Sequence, residues 1–185
     1  MEGYRVAHNI LLAHSEVVEL FREKYQSRQG GQIGMVLNHD FAEPLDPSSS
    51  ADVAAAERRN VFAMGWFADP LVFGDYPPLM RETLGNRLPY FTRRQSLKLK
   101  GSYDFLAINH YSSKYYSVRN SSETVDETKI ANQWAHDQNN SESKVGRDGS
   151  LIGAQVRPSI RPRLHLLVAL PNMHSLTLTL TLTLT

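Results

Sequence analysis

Residues 103–109 read Tyr-Asp-Phe-Leu-Ala-Ile-Asn, and residues 32–38 read Gln-Ile-Gly-Met-Val-Leu-Asn. Both are short apolar runs bounded by polar residues, a pattern typical of strands that are covered on both faces in a parallel sheet. Between them lie segments in which apolar residues recur at helical spacing, so helix and strand alternate along the chain. The sequence therefore predicts an α/β fold built on a parallel sheet.

The longest predicted helix covers Tyr4 to Arg28 and ends at Gly30-Gly31, since glycine accepts the left-handed conformation that closes a helix. It is amphipathic, because its apolar residues recur at short helical spacings; they are Val6, Ile10, Val17, Leu20, Phe21 and Tyr25.

Three shorter helices are predicted after the first strand. One runs from about Val53 to Phe67, with Pro70 as its stop and a polar residue as its cap, either Ser50 or Asp52. The others are expected at 79–84 and 92–100. Residues 112–150 are rich in Ser, Asn, Asp and Glu, which indicates a long surface loop.

The composition limits the possible classes of function. The chain has 185 residues, which is short for a complete (β/α)8 barrel of roughly 200 to more than 400 residues. A formal net charge of +1 without a long basic run argues against nucleic acid and anionic membranes as partners. Cysteine is absent, which removes disulfides and thiolate nucleophiles. Neither a signal peptide nor an apolar run of about 20 residues, the length that spans a bilayer, is recognisable.

Two longer stretches carry the most specific information. Residues 56–70 read Ala-Glu-Arg-Arg-Asn-Val-Phe-Ala-Met-Gly-Trp-Phe-Ala-Asp-Pro, and residues 74–77 read Gly-Asp-Tyr-Pro. Residues 104–113 read Asp-Phe-Leu-Ala-Ile-Asn-His-Tyr-Ser-Ser. In this order and spacing the two stretches resemble glycoside hydrolase family 1, the β-glucosidase family. Residues 147–155, Arg-Asp-Gly-Ser-Leu-Ile-Gly-Ala-Gln, resemble a hairpin of the same family.

The resemblance implies a partial (β/α)8 TIM barrel, from about helix 4 through strand 6 of the parent barrel. It also implies a retaining β-glucosidase-type O-glycosyl hydrolase whose full-length parent acts on β-glycosides. We expect residues 1–155 to form the partial barrel. Residues 156–185, which end in Leu-Thr repeats, are expected to be an out-of-frame or disordered tail. The oligomeric state is not determined by the sequence.

Retaining glycosidases use two carboxyl groups about 5 to 5.5 Å apart, one as acid/base and one as nucleophile. By resemblance, the first lies in an Asn-Glu-Pro motif after strand 4 and the second in Thr-Glu-Asn-Gly after strand 7, and neither motif occurs here. We therefore expect no catalytic residue in this chain and no glycosidase activity from it alone. Glu43-Pro44 is similar to the first motif, but it follows Phe41-Ala42 and is interpreted as a solvated loop carboxylate. The alternative is a non-catalytic carbohydrate-binding or interaction protein derived from the same fold.

Asn109 and Tyr111 are the best candidates for site residues. In the family that these stretches resemble, the matching Asn-x-Tyr ends the sixth strand, and its tyrosine hydroxyl donates a hydrogen bond that orients the nucleophile carboxylate. Alternate residues of a strand point to one face, so both side chains can face the barrel mouth while His110 points away. Asn38 and Asp40 follow the other strand and could face an aglycone. Ordinary turn chemistry, which suits Asn and Asp equally well, remains the other interpretation.

The remaining chemistry-bearing residues are interpreted as structural. An aromatic group near the first signature is expected to pack in the core rather than stack on a sugar; its members are Trp66, Phe67, Phe73 and Tyr76. His8 and His14 are six positions apart, about 240° around a helix, and cannot bind one metal ion together. No Gly-rich phosphate loop occurs either, so neither a metal nor another cofactor is expected.

Overall fold

The computed structural model describes residues 2–119, 130–143, 145–151 and 170–171. The helices in these ranges are α1 (Glu2–Phe21), α2 (Ser27–Gln29), α3 (Ser50–Asn60), α4 (Trp66–Phe73), α5 (Pro78–Leu84), α6 (Arg93–Leu99) and α7 (Ile130–Asp137). The strands are β1 (Gly34–Asn38), β2 (Phe41–Pro44), β3 (Phe105–Asn109), β4 (Ser113–Val118), β5 (Asn140–Ser143) and β6 (Leu170–Pro171). No helix in the described part of the chain is both long and apolar enough to cross a bilayer. The prediction of an α/β fold is confirmed.

The first sheet has the order β1-β3-β6, and β1 pairs with β3 in parallel from Gly34 opposite Phe105 to Asn38 opposite Asn109. Glycine is required at position 34, because a Cβ there would lie 2.2 Å from the carbonyl oxygen of Phe105. The parallel pairing confirms the prediction for both apolar runs. Their burial differs, since the central residues of β3 are buried whereas Val36 in β1 is 54% exposed. The expectation that both strands are covered on both faces is therefore wrong for β1.

The second sheet has the order β2-β4-β5, with β2 parallel to β4 and β5 antiparallel to it. This sheet and α7 occupy much of 112–150, so the predicted long loop is wrong in the described residues. The composition misled because the strands are polar: β5 reads Asn-Ser-Glu-Ser, and Lys114 of β4 pairs with Glu142 of β5 at 2.9 Å. A strand with solvated side chains resembles a loop in composition, although its backbone pairs with a neighbouring strand, as that of β5 does with β4.

The helix predicted at the N-terminal end is confirmed, but it buries a different face from the one that the apolar spacing suggested. It continues from α1 through a π-helical turn at Arg22–Gln26 into α2, and Gly30 ends it with a φ of 63°. Its buried apolar residues are Tyr4, Ala7, Leu11 and Val18, whereas Val6, Ile10, Val17, Leu20 and Tyr25 are exposed. The helix therefore has two apolar faces, and the described residues cover only one.

The helix that contains the first signature does not stop at Pro70. It begins after Ser49, whose side chain accepts a hydrogen bond from the Asp52 amide, and it continues through a π-helical turn at Val61–Gly65 into α4. Pro70 lies inside α4, and Gly74 ends this helix with a φ of 88°. Proline removes one backbone donor but keeps a helical φ, so the helix can continue beyond it. The two residues predicted as the cap, Ser50 and Asp52, lie one and three positions after the observed cap, Ser49.

The two shorter helices form as predicted. Gly85 closes α5 with a φ of 53°, and Thr92 begins α6 with a capping box in which Gln95 bonds back to the Thr92 amide. These helices join α1, α4 and β3 in one apolar core, whose fully or nearly buried members are Tyr4, Leu11, Phe62, Leu71, Tyr76, Met80, Leu84, Leu88, Leu99 and Leu106.

The aromatic group behaves largely as predicted. Tyr76 is part of the apolar core, and Trp66 and Phe67 pack against it, but Phe73 is 52% exposed. Two histidines also have structural partners: His8 Nδ1 lies 3.0 Å from the Tyr76 hydroxyl, and His14 Nε2 lies 2.6 Å from the Ser102 carbonyl.

The predicted tail lies largely outside the described residues, and so do the Leu-Thr repeats. Within it, only Leu170–Pro171 are described, where they pair with Phe105 and Leu106 in antiparallel orientation. The hairpin is described from Val145 to Leu151, which form an antiparallel bridge, with Gly149 in the left-handed conformation at its turn.

Candidate functional site

The candidate site lies where two chain connections run side by side from the first sheet to the second. One connection joins β1 to β2 through His39 and Asp40, and the other joins β3 to β4 through 110–112. Because β1 is parallel to β3 and β2 is parallel to β4, both connections leave the same edge of the first sheet. In open parallel sheets this carboxyl edge is where ligands bind.

All four residues proposed from the sequence come together at this edge. The Asn109 amide nitrogen donates a hydrogen bond of 2.9 Å to the side-chain oxygen of Asn38. The Asp40 carboxylate accepts bonds from the backbone amides of Tyr111, at 3.4 Å, and Ser112, at 3.2 Å. The Tyr111 side chain is 55% exposed. Asn38 and Asp40 thus form hydrogen bonds with the residues that end β3 and begin its connection to β4.

Two histidines complete the contact between the connections. The His39 amide donates to the carbonyl oxygen of Asn109 at 3.0 Å, and His110 Nδ1 donates to the carbonyl oxygen of His39 at 2.9 Å. The His110 ring thus bonds the neighbouring connection. Sequence reasoning did not assign either histidine a place in the site, although a signal was present: an Asn-His dipeptide spans the end of both paired strands, at 38–39 and 109–110.

His39 is buried, with 6% of its surface exposed. Burial lowers its pKa to about 4, and the positive charges of Arg59 and His110 act in the same direction, while Asp40 opposes them. Its Nδ1 has no hydrogen-bond partner among the described residues. The imidazole is therefore neutral at physiological pH. It is buried beneath the exposed residues of the carboxyl edge, and its ring contacts that of Phe41.

The interpretation of Glu43 as a solvated loop carboxylate is wrong. It is a half-buried residue within β2, where it stands opposite Tyr115 of β4. The described residues contain no group of three His, Cys, Asp or Glu side chains that could hold a metal ion.

The chemical capacity of the edge follows from its functional groups. An Asn side chain both donates and accepts hydrogen bonds, and a tyrosine hydroxyl does the same, so these groups can bind hydroxyls of a sugar or a carboxylate supplied by another segment. The one carboxylate among the four residues already accepts two backbone bonds. This edge is therefore suited to binding and orienting rather than to proton transfer.

Comparison with known proteins places these residues in a family. The sequence profile described as Glycosyl hydrolase family 1 matches residues 1–161. Beta-glucosidase 22 of Oryza sativa subsp. japonica is 49% identical over 125 residues, which are 68% of this chain and 23% of that protein. Coniferin beta-glucosidase of Pinus contorta is 50% identical over 114 residues, which are 62% of this chain and 22% of that protein. The chain thus spans less than a quarter of the length of these relatives.

Solved structures give the same result. The crystal structure of rice Os3BGlu6 beta-glucosidase has a TM-score of 0.74 and 36% identity, and the match covers 84% of this chain and 31% of that chain. Beta-glucosidase 2 from the fungus Trichoderma reesei, in complex with Tris, has a TM-score of 0.73 and 41% identity, with 86% and 33% covered. Sequence profile, relatives and folds agree, and the chain belongs to glycosyl hydrolase family 1.

Proposed function

We propose that this chain is a part of a retaining β-glucosidase-type hydrolase that carries one wall of the active site but neither catalytic carboxylate. In such an enzyme Asn109 and Tyr111 would face the sugar and the nucleophile, and Asn38 and Asp40 would lie along the path of the aglycone. The main support is the geometry of the carboxyl edge, where the Asn109 amide is bonded to Asn38 next to an exposed Tyr111.

In the corresponding mechanism, one carboxyl group protonates the leaving oxygen and a second, about 5 to 5.5 Å away, attacks the anomeric carbon. A tyrosine hydroxyl that donates a hydrogen bond to the nucleophile favours its ionised form and fixes its direction. We assign that role to Tyr111. Asn109, oriented by its bond to Asn38, would bind a sugar hydroxyl. Both carboxyl groups would come from polypeptide that this chain does not contain.

In barrel terms, β1 is proposed as the fifth strand and β3 as the sixth, with α1 as the fourth helix. Their parallel pairing in register supports neighbouring positions in one barrel. Residues 1–155 would then be the barrel segment, and residues 156–185 would be foreign to it.

The first test is hydrolysis of a nitrophenyl β-glucoside by the purified chain, with the rice beta-glucosidase as positive control. We expect no release of nitrophenol above the rate in buffer. Hydrolysis that Glu43→Gln abolishes and Glu142→Gln leaves intact would refute the proposal, because the chain would then carry its own catalytic carboxylate. Binding of glucose by a cooperatively folded chain, without hydrolysis, would instead favour the non-catalytic carbohydrate-binding alternative.

The second test is a chimera in which residues 4–155 replace the matching segment of the rice beta-glucosidase. We expect the chimera to hydrolyse the glucoside. In it, Tyr111→Phe should lower kcat about 10- to 100-fold, the range expected for losing one hydrogen bond to a charged group. Tyr90→Phe is the matched control, because Tyr90 is exposed between α5 and α6 and its ring contacts the Arg81 guanidinium, which phenylalanine can also do. Equal kcat values for the two variants would contradict the role of Tyr111.

A further inference from the structure

The turn between α7 and β5 carries a sequence pattern that the proposed hydrolase function does not use. Residues 139–141 read Asn-Asn-Ser, which is the Asn-x-Ser pattern of an acceptor for N-linked glycans when the middle residue is not proline. Asn139 is exposed and has a φ of 46°, a left-handed conformation that asparagine tolerates better than most residues. Turn chemistry explains the backbone of this residue and leaves its side chain without an assigned role.

The backbone of Asn139 is held by hydrogen bonds, and its side chain is not. Its amide donates to the carbonyl oxygen of His136 at 3.0 Å. Its carbonyl oxygen accepts from the Arg119 amide at 3.4 Å and from Arg58 Nη2 at 3.3 Å. The side-chain amide has no hydrogen-bond partner among the residues that the structure describes. A substituent on Nδ2 would therefore break none of the bonds that hold this turn.

We propose that Asn139 is an acceptor for an N-linked glycan. In the transfer, Asn139 Nδ2 forms a bond to the anomeric carbon of a lipid-pyrophosphate-linked oligosaccharide. The bond from that carbon to the pyrophosphate oxygen breaks, the lipid pyrophosphate leaves, and Nδ2 gives up one proton. Because this donor is found in the secretory pathway, the assignment also places the chain there during its synthesis. Neither the family nor the hydrolysis of a glycoside requires such a modification.

Other asparagines lack one or both of the features that Asn139 combines. Asn140 is followed by Ser-Glu, and its Nδ2 donates to the carbonyl oxygen of Ala55 at 3.4 Å. Asn9 is exposed on α1, but Ile-Leu follows it. The turn also bonds to Arg119, directly after the six residues of β4, and so lies roughly 20 Å along that strand from the carboxyl edge. A glycan attached there starts well away from the candidate site.

The test produces the full chain behind a cleavable secretion signal in a eukaryotic host and recovers it from the secretory compartment. Peptide-N-glycosidase releases N-linked glycans and converts the acceptor asparagine to aspartate, which a tryptic map detects by mass. Trypsin separates residues 130–144, which contain Asn139, from residues 120–129, which contain a second Asn-x-Ser pattern at 120–122, outside the described residues. We expect the peptide 130–144 to carry the conversion at position 139.

Four variants test whether the pattern and the exposed side chain cause the modification. Asn139→Gln and Ser141→Ala should each abolish the glycan on 130–144, whereas Ser141→Thr keeps the pattern and should retain it. Asn9→Gln is the matched control, since it changes an exposed asparagine outside the pattern and should leave the glycan in place.

Two results would overturn the assignment. One is an unmodified peptide 130–144 from the unaltered chain, whatever is found on 120–129. The other is a glycan on 130–144 that persists in Ser141→Ala. Because the map reads the glycan directly on the unaltered chain, it decides the question even if a variant fails to fold. The modification and the hydrolase function are measured separately, so either can fail while the other stands.

Discussion

The helical core and the carboxyl edge of the first sheet keep their residues in place by different means. In the core, Leu11, Phe62 and Leu71 have no exposed surface, and apolar contact holds them. At the edge, Asn38 and Tyr111 are exposed, and hydrogen bonds between two connections fix their surroundings. The two family signatures therefore differ in what they place. Residues 56–70 contribute mainly to packing, whereas residues 104–113 run from a buried strand to polar groups at its exposed end.

The largest expected effect is in the core. Leu11→Ala should lower the free energy of unfolding by about 2 to 5 kcal/mol, because it removes a buried side chain and leaves a cavity. Leu20→Ala is the same chemical change on the exposed face of the same helix and should cost less than about 0.5 kcal/mol. Urea unfolding of both variants measures the difference. Similar losses would mean that the outer face of α1 is covered as well, and the contrast would fail.

The next effect concerns a buried carboxylate that forms an ion pair and a hydrogen bond beside the apolar core. Asp137 is almost fully buried and accepts two bonds from Arg87, at 2.8 and 2.9 Å, and one from the Tyr4 hydroxyl at 2.7 Å. Asp137→Ala leaves both partners without their acceptor and should cost about 2 to 3 kcal/mol. Asp75→Ala removes an exposed carboxylate 3.5 Å from Arg81 and should cost less than about 0.5 kcal/mol. Thermal melts of the two variants check this, and an equal shift in Tm would be the contrary result.

A third effect is that stability depends on pH with opposite sign in the two regions. His39 at the edge has its pKa lowered to about 4 by burial, so the unfolded chain takes up a proton between pH 6.5 and 4 that the folded chain refuses. Its contribution to stability is present above pH 6.5 and is lost as the pH falls. Asp69 on the helical side has its pKa raised to about 6 by burial, so its contribution is present below pH 3.8 and is lost as the pH rises to about 6.

Two variants that do not titrate test these opposite signs. His39→Phe should flatten the fall in stability between pH 6.5 and 4, by up to about 3 kcal/mol. Asp69→Asn should raise stability above pH 6 and have little effect at pH 3.5. Unfolding by urea at several pH values measures both. A pH profile that neither variant changes would show that other groups control acid stability.

The sequence predicted the parts of the fold in which local chemistry and tertiary structure agree. Thr92 and Gln95 form a capping box, Gly30 and Gly85 end helices, and both apolar runs are paired parallel strands. Prediction failed where tertiary contacts determine whether a segment forms a strand or which face of a helix is buried. The polar strand β5 is held by pairing with β4, and the buried face of α1 is chosen by what packs against it.

The candidate site was predicted in part for the same reason. The resemblance named the residues at the ends of the two strands, and the structure brings Asn109 to Asn38. The support of the second connection by Asp40 could not be derived, because it depends on the distance between two segments about 70 positions apart in sequence. The paired Asn-His dipeptides were the one local sign that both strands end in the same way.

The smallest expected effect is at the edge itself. Asn38→Ala and Asn109→Ala should each lower the free energy of unfolding by less than about 1 kcal/mol, because water can replace an exposed hydrogen bond. The double variant should reveal a coupling of about 0.5 kcal/mol in a double-mutant cycle, since the two amides bond directly. A coupling of zero would mean that the two side chains do not hold each other in solution. A coupling well above 1 kcal/mol would mean that water is excluded from the edge as it is from the core. The distinction between a core held by packing and an edge held by exposed hydrogen bonds would then be wrong.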